Sequence, residues 1–452
     1  MTNTFIDFLA MHHIATTEHA VFAEQPAPQL LKMNGVGSKP DLCILEEETI
    51  TWRGFGGCFN ELGWNALAHL PAAKQEAVLD QLFAPGGDLK FEFCRLPIGA
   101  SDYADDWYSL AETPGDWELR DFSIERDRIK LLPYVKAALL RRPDLELFSS
   151  PWSPPAWLKR PAVMNSGKLP MESRTLSTYA DYFVKYVQAY AAEGVTIQQI
   201  HPQNEPCSSQ KFPSCVLTGE ELRIFIGQYL GPAFARAGLP TEIWLGTLNS
   251  TEPDDDRKLW TSFNDYAFTV LQDEAAARYV RGVAYQWAGK YSVWKTRIAY
   301  PDLPLIQSEN ECGDGKNSWR YAWYIADLIH HYLAQDTCGY VYWNMVLEPE
   351  GHSTWGWQQN SLFTVDPATR ELTTNPEFHI LRHYASFIPR GSRRRLCSQP
   401  WAANATAYRT PANELVCVVH NPLHHEHRLT VEQGDHTWAI PLPARSLNTL
   451  VI

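Results

Sequence analysis

Short apolar runs alternate with segments of helical periodicity between about residues 50 and 380. In one such segment, large side chains recur every three or four positions at Tyr179, Phe183, Tyr186 and Tyr190, and Gly194 follows as a stop. This alternation predicts a parallel sheet wrapped by helices. The predicted strands, eight in all, are Thr51–Gly57, Leu89–Pro97, Leu145–Ser150, Ile197–Gln203, Glu242–Gly246, Gly282–Trp287, Leu303–Ser308 and Gly339–Met345.

The two ends of the chain have a different pattern, without helical periodicity. Four short runs after Gln399 are typical of antiparallel strands, and the residues from about 25 to 50 are also extended in pattern. We therefore expect a small side β-domain in which an N-terminal segment, 1–48, pairs with a C-terminal β-rich region, 389–452. The catalytic domain is predicted over 49–388. The predicted fold class is α/β, a (β/α)8 TIM barrel with this side β-domain.

Length and charge narrow the possible functions. The chain has 452 residues, about 200 more than the roughly 250 of a typical (β/α)8 barrel. This leaves room for the side domain and for long loops at 98–121, 151–176, 204–217 and 347–362. A formal net charge of −13 argues against nucleic acid as a partner, because nucleic acid is bound through clustered Lys and Arg.

Three further classes of segment are not expected. No run of about 18 apolar residues is present, so no membrane span is predicted. Residues 1–23 lack a basic leader, which favours a cytoplasmic protein. The nine cysteines have no metal-binding spacing, and His424-His-Glu-His427 falls in a predicted hairpin and does not match H-E-x-x-H. No metal and no organic cofactor are therefore expected.

Glutamates follow two of the predicted strands. Glu205 lies in Gln203-Asn204-Glu205-Pro206, directly after the fourth strand. An amide beside a carboxyl at a barrel strand end suits glycoside hydrolysis, because the Asn204 amide can bind the sugar 2-hydroxyl. We predict that Glu205 is the acid/base, with its pKa raised by a partly dry pocket and by a second carboxylate.

The second carboxyl is predicted in Ser308-Glu309-Asn310-Glu311, after the seventh strand. Both glutamates point to the same side of an extended segment, because side chains alternate with a period of two. Glu309 is the preferred nucleophile because it ends the apolar run, whereas Glu311 lies further into the loop. Glu311 remains the alternative.

Several motifs together resemble glycoside hydrolase family 30, the group that includes the glucosylceramidases. They occur in family order over about residues 50 to 360. The motifs are Gly54-Phe-Gly-Gly57, Arg95-Leu-Pro97, Ser149-Ser-Pro-Trp-Ser-Pro-Pro-Ala-Trp-Leu-Lys159, Asn204-Glu-Pro206, Ser308-Glu309 and Trp343-Asn-Met-Val-Leu-Glu-Pro-Glu-Gly351.

The resemblance implies a (β/α)8 barrel, retaining hydrolysis, Glu205 as acid/base and Glu309 as nucleophile. It also implies a set of substrate-binding residues, with Arg95 holding the nucleophile ionised. One departure is Ala288, which stands after Trp287 where relatives often have a Tyr; Tyr291 or a loop residue is a possible substitute. The implied substrate-binding residues are Arg95, Asp116, Trp157, Asn204, Trp287 and Trp343.

The predicted function is that of a retaining β-glycosidase of the β-glucosidase or glucosylceramidase type, acting through a covalent glycosyl-enzyme on a carbohydrate or glycoside substrate. Exo action is preferred because long loops can close one end of the cleft. One alternative is an endo-acting β-glycanase, a β-1,6-glucanase or a xylanase. A second is a non-catalytic carbohydrate-binding protein, since a barrel can keep a sugar pocket after losing its chemistry. Sequence alone fixes neither the sugar nor the oligomeric state.

Overall fold

The computed structural model describes residues 11–31, 39–249 and 266–452. The described residues form two compact units. One takes its residues from Met1–Gly54, Trp319–Asp336 and Pro376–Ile452, and the other from Phe55–Ser318 and Thr337–Asn375. Every residue of the candidate site described below belongs to the second unit.

The second unit contains a closed eight-stranded parallel barrel, which confirms the predicted fold class. Each strand overlaps a predicted one, and the strands are followed around the barrel in chain order. In that order the strands are Gly54–Cys58, Phe93–Ile98, Glu146–Pro151, Gln199–Ile200, Glu242–Leu248, Val280–Gln286, Leu305–Glu309 and Gly339–Asn344.

The fourth barrel strand is much shorter than predicted, with two residues rather than seven. The flanking residues still bond to the neighbouring strands: the His201 N–H donates to the Ser149 carbonyl at 2.9 Å and the Gln203 N–H to the Gly246 carbonyl at 3.3 Å. The chain therefore follows the barrel wall up to Asn204 while leaving the regular strand geometry. This departure precedes the acid/base candidate Glu205.

Helices connect the strands, and the predicted aromatic periodicity lies on one of them. Tyr179, Phe183, Tyr186 and Tyr190 are fully buried on Ser173–Ala192, which is followed by Gly194 at φ +79°. The other helices are Glu61–Ala68, Ala72–Phe83, Leu131–Arg141, Gly219–Phe225, Gly231–Ala237, Tyr266–Leu271, Glu274–Ala277, Lys290–Ala299, Trp319–Ala334 and Pro376–Ala385. Shorter turns are Ala156–Leu158, Ile226–Leu230, Trp287–Gly289, Pro349–Gly351 and Pro400–Asn404.

The first unit contains a ten-stranded sheet, and its topology confirms that the N-terminal segment pairs with C-terminal strands. Leu42–Thr51 lies between Arg393–Ser398, to which it is antiparallel, and His427–Gln433, to which it is parallel. Its core includes Leu42 and Ile440, both fully buried. The remaining strands are His12–Thr16, Ala23–Glu24, Gln29–Leu31, Ala405–Arg409, Leu415–Asn421, His436–Leu442 and Ser446–Val451.

Two smaller observations complete the fold. The long segment that follows the eighth barrel strand contains a three-stranded sheet of Val346–Leu347, Phe363–Val365 and Leu372–Thr374. Among the helices of the described ranges, none is both long and apolar enough to span a bilayer.

Candidate active site

Glu205 and Glu309 line one cavity at the carboxyl ends of the barrel strands, the end at which TIM-barrel enzymes build their sites. The cavity has a volume of about 460 Å³. Glu309 is the last residue of the seventh strand and is 5 % exposed. Glu205 follows the fourth strand. The two carboxyls therefore reach one space from different parts of the barrel wall.

Arg95, from the second barrel strand, forms an ion pair with Oε2 of Glu309 and is itself fully buried. Its guanidinium also donates to Oγ of Ser150 at 2.8 Å and to Oδ1 of Asn204 at 2.6 Å. Burial raises the pKa of Glu309, and Arg95 acts in the opposite direction. A charge-assisted hydrogen bond favours the ionised carboxylate, so Arg95 suits Glu309 to the role of nucleophile.

A buried amide, Gln286, fixes the same carboxylate oxygen from a second direction. Its Nε2 lies 2.9 Å from Oε2 of Glu309 and 2.8 Å from Oδ1 of Asn204. Oδ1 of Asn204 also accepts from Oγ1 of Thr247 at 3.0 Å. Three donors therefore occupy the Asn204 oxygen, so the side chain can only donate, through its NH2 group, to a ligand such as a sugar hydroxyl.

The electrostatic environment of Glu205 differs from that of Glu309. Burial, the charge of Glu309 and the charge of Asp102 together raise the pKa of Glu205 to about 8. No guanidinium or ammonium bonds to its carboxyl within the described residues. A carboxyl that remains protonated at neutral pH can act as a general acid.

The backbone at Glu205 adopts a left-handed conformation with φ +46°. Such a conformation is costly for a non-glycine residue and persists only where the surroundings enforce it. Here the Glu205 N–H donates to the Thr247 carbonyl at 3.0 Å, and the Ser208 N–H donates to the Glu205 carbonyl at 2.9 Å. These bonds hold the side chain toward the cavity.

Glu311 also lines the cavity, as the period-two argument predicts. Unlike Glu309, it makes no ion pair with Arg95; the donors of Arg95 are occupied by Ser150, Asn204, Thr247 and the Glu309 segment. The geometry therefore favours Glu309 over Glu311 as the nucleophile.

Asp102 is a cavity carboxyl that the sequence analysis did not identify. It lies in the loop after the second strand and is 6 % exposed. Burial, followed by the charge of Glu309, raises its pKa to about 8, and the Trp152 side chain bonds to its carboxyl. Oδ1 of Asp102 is buried without a partner among the described residues. An unpaired buried oxygen in a cavity is suited to bind a ligand hydroxyl.

Two of the predicted substrate-binding residues lie elsewhere. The Asp116 carboxylate accepts the N–H of Asp121 at 2.8 Å, and this bond lowers its pKa. The Trp157 indole donates to the Ala111 carbonyl at 2.9 Å and packs edge-on against Trp117. Neither lines the cavity. In this structure both contact the loop after the second strand, and their binding of substrate stays a prediction; Asp102 is the carboxyl of that loop that lines the cavity.

Of the two remaining predicted indoles, Trp287 lines the cavity and Trp343 packs behind it against Arg95 and Trp152. Trp343 is 1 % exposed and packs against Trp152 with ring centroids 5.2 Å apart, and its ring centroid is 5.5 Å from the Arg95 guanidinium carbon. The Trp343 indole N–H has no hydrogen-bond partner in the part of the chain that the structure describes. It is therefore available to a bound sugar.

Among the described residues, no tyrosine lines the cavity near Ala288. Ala288 lines the cavity, whereas Tyr291 is 71 % exposed and absent from the cavity wall. The Cys312 thiol lies 3.8 Å from Oε1 of Glu309, and Gln286 bonds to Oε2. A thiol and an amide therefore contact the Glu309 carboxylate in this chain.

Comparison with known proteins identifies the family. Residues 52–388 match the family model described as the glycosyl hydrolase family 30 TIM-barrel domain. The chain belongs to glycosyl hydrolase family 30. It is therefore a glycoside hydrolase, and its relatives include enzymes named for their action on β-linked glucosides.

Two curated relatives and one solved structure illustrate the range of this family. The chain is 29 % identical to the lysosomal acid glucosylceramidase of Mus musculus, over 85 % of this chain and 77 % of the relative. It is 26 % identical to an endo-1,6-beta-D-glucanase of Neurospora crassa, over 89 % and 85 %. The crystal structure of SrfJ from Salmonella typhimurium superposes with a TM-score of 0.87 at 25 % identity, covering 98 % of this chain and 99 % of that one.

Proposed function

We propose that this family 30 enzyme is a retaining β-glucosidase in which Glu309 is the nucleophile and Glu205 is the acid/base. The observation that carries the proposal is the contrast between two carboxyls in one cavity. Arg95 and Gln286 bond to Glu309, whereas burial and neighbouring charges raise the pKa of Glu205 to about 8. Retaining hydrolysis needs this pairing of an ionised and a protonated carboxyl.

The oxygens of Glu309 have different roles in this mechanism. Arg95 and Gln286 occupy Oε2, which leaves Oε1 to attack the anomeric carbon. As the bond to Oε1 forms, the glycosidic bond breaks and Glu205 transfers its proton to the leaving oxygen. The ionised Glu205 then takes a proton from water, whose oxygen displaces Glu309 and releases the sugar with retained configuration.

The buried part of the cavity would hold the transferred sugar. Asp102 Oδ1, the Trp343 indole N–H and the NH2 group of Asn204 are polar groups available to its hydroxyls. A hydrogen bond from Asn204 to the 2-hydroxyl would strengthen as positive charge develops at the anomeric carbon. The glucose preference is taken from the two relatives described above, both named for glucosides.

The nucleophile can be identified by chemical rescue. Glu309→Gly should abolish hydrolysis of 2,4-dinitrophenyl β-D-glucoside, and added azide should restore turnover and give a glucosyl azide of α configuration. The matched variant Glu311→Gly should retain hydrolysis. Rescue of Glu311→Gly instead would move the nucleophile by two residues, and a wild-type protein that binds glucosides without cleaving them would favour the carbohydrate-binding alternative.

A second candidate function is endo-acting β-1,6-glucanase activity. The identity to the Neurospora crassa enzyme, which extends over 89 % of this chain, favours it. Release of oligosaccharides from β-1,6-glucan before any glucose appears would support endo action. Release of glucose alone would support exo action.

A further inference from the structure

The cavity has a buried part and an exposed part with different linings. Glu309 and Asp102 lie at the buried end, with 5 % and 6 % exposure. Segments that follow the fourth to eighth barrel strands form the outer wall, and Trp357 there is 38 % exposed. A glycoside spans two such regions, because the catalytic carboxyls act at the bond between the transferred sugar and the leaving group.

The outer wall contains amide side chains with unused hydrogen-bonding groups. The side-chain amide of Gln210 makes no hydrogen bond within the described residues; only the backbone N–H and carbonyl of Gln210 are bonded. Oε1 of Gln359 accepts from Asn344 at 2.7 Å, which leaves its NH2 group to donate. The Gln358 NH2 group contacts Glu350 at 3.3 Å, which leaves its carbonyl oxygen to accept. Donors and acceptors therefore both face this space.

The apolar groups of the outer wall are aromatic rings. Trp287, Phe212 and Trp357 line the cavity. No Leu, Ile, Val or Met side chain belongs to the lining formed by the described residues. An alkyl chain in this region would contact the aromatic rings but would also lie against amides and carboxyls, which offsets part of the usual gain from apolar burial.

Trp357 is held in place before any ligand binds. Its ring packs edge-on against Phe212 with centroids 6.1 Å apart, and Nζ of Lys211 lies 4.8 Å from its centroid. The backbone N–H of Trp357 donates to Oγ of Ser353 at 2.9 Å, and the backbone carbonyl of Trp357 accepts the Ser353 N–H at 2.8 Å. Trp357 is 38 % exposed with Lys211 over its ring, so part of the indole is accessible to a ligand. A fixed aromatic surface costs little ordering entropy on binding.

We infer that this outer region is a subsite for a sugar as leaving group, with Trp357 as its stacking surface and Gln210 and Gln358 as hydrogen-bonding partners. A pyranose has C–H groups on its faces and hydroxyls at its rim, which matches indole faces bordered by amides. The inference rests on the proposed function, and it makes the substrate a β-linked di- or oligosaccharide rather than a lipid glucoside. The same subsite would bind the acceptor sugar in transglycosylation.

The test compares substrates with and without a leaving-group sugar. For wild type and variants, kcat/KM is measured for cellobiose, laminaribiose and gentiobiose, for octyl β-D-glucoside, and for β-D-glucosyl fluoride, whose leaving group is a single atom. Wild type should cleave at least one disaccharide more efficiently than octyl β-D-glucoside. In Trp357→Ala, the ratio of kcat/KM for that disaccharide to kcat/KM for glucosyl fluoride should fall about tenfold or more.

Two further variants separate the proposed role from a general disturbance of the fold. Trp107 is a matched control, because it is 37 % exposed, stacks on Trp355 and does not line the cavity. Trp107→Ala should leave the ratio unchanged, and Trp357→Phe, which keeps an aromatic face, should restore part of it.

Each contrary result has a separate meaning. An unchanged ratio in Trp357→Ala, or an octyl glucoside cleaved better than every disaccharide, would overturn the sugar subsite while leaving the proposed function intact. A wild-type enzyme inert on glucosyl fluoride and on all the glucosides would refute the proposed function, and the subsite with it.

Discussion

The raised pKa of Glu205 predicts how activity depends on pH. Burial, Glu309 and Asp102 raise that pKa from 4.5 to about 8. At pH 7 a carboxyl with a pKa of 8 is about 90 % protonated and one with a pKa of 4.5 about 0.3 %, so the environment increases the available acid about 300-fold. For a substrate with a poor leaving group, kcat/KM should fall about tenfold per pH unit above pH 8.

The assay uses leaving groups that differ in their need for a proton. Against a poorly activated aryl β-D-glucoside, Glu205→Ala should lose about 10²- to 10⁴-fold in kcat/KM and should also lose the alkaline limb. Against 2,4-dinitrophenyl β-D-glucoside, both effects on kcat/KM should be much smaller. The Glu205→Ala variant is the essential control, because Asp102 also has a pKa of about 8 and its titration would give a similar alkaline limb.

Two results would refute this reasoning. A decline of wild-type kcat/KM that begins near pH 5 would show that burial does not raise the pKa of Glu205. An alkaline limb that persists in Glu205→Ala would assign the titration to another group, with Asp102 as the first to examine.

Three further substitutions test the surrounding site. Asp102→Asn should lower kcat/KM for β-glucosides about 10- to 100-fold, because an unpaired buried oxygen is predicted to bind the sugar, whereas Asp116→Asn should leave steady-state kinetics unchanged. Arg95→Met should abolish turnover and cost about 3–5 kcal/mol in the free energy of unfolding measured with urea, because Glu309 would be buried without its partner; a stable and active variant would exclude this role. Glu205→Gln should be about 4 kcal/mol more stable than wild type at pH 8 and nearly equal to it at pH 4.5, because a protein with a carboxyl whose pKa is raised on folding loses stability as pH rises from 4.5 to 8; an equal difference at both pH values would contradict the linkage.

The barrel can be predicted from sequence because each strand is a short apolar run bounded by helical periodicity. Phe93–Ile98 and Gly339–Asn344 are buried along their whole length, as parallel strands covered on both faces are. The fourth strand shows where the pattern fails. The run Ile197–Gln203 is predicted as a strand from only two apolar positions, Ile197 and Ile200, and only Gln199–Ile200 is regular; the geometry after Ile200 depends on bonds to neighbouring strands.

The two cavity glutamates can be predicted because one ends a barrel strand and the other closely follows one. The same rule points to Asp102, four residues beyond the end of the second strand at Ile98, and away from Asp116, eighteen residues beyond it. The family resemblance implies Asp116, which stands in Thr-Pro-Gly-Asp116-Trp of the same long loop. Which carboxyl of that loop reaches the cavity depends on the loop's path, and sequence patterns do not encode that path.

In the proposed mechanism, the different roles of Glu205 and Glu309 depend on Arg95 more than on the sequence motif around either glutamate. Glu309 is buried and Glu205 is partly buried, and desolvation raises the pKa of each. Arg95 distinguishes the two carboxyls. Its guanidinium pairs with Glu309, whereas near Glu205 it bonds to the Asn204 oxygen and not to the Glu205 carboxyl. The second strand therefore supplies the charge that ionises the seventh-strand carboxyl and orients the amide beside the fourth-strand one. In the proposed mechanism, this contact commits Glu309 to attack and leaves Glu205 to transfer the proton.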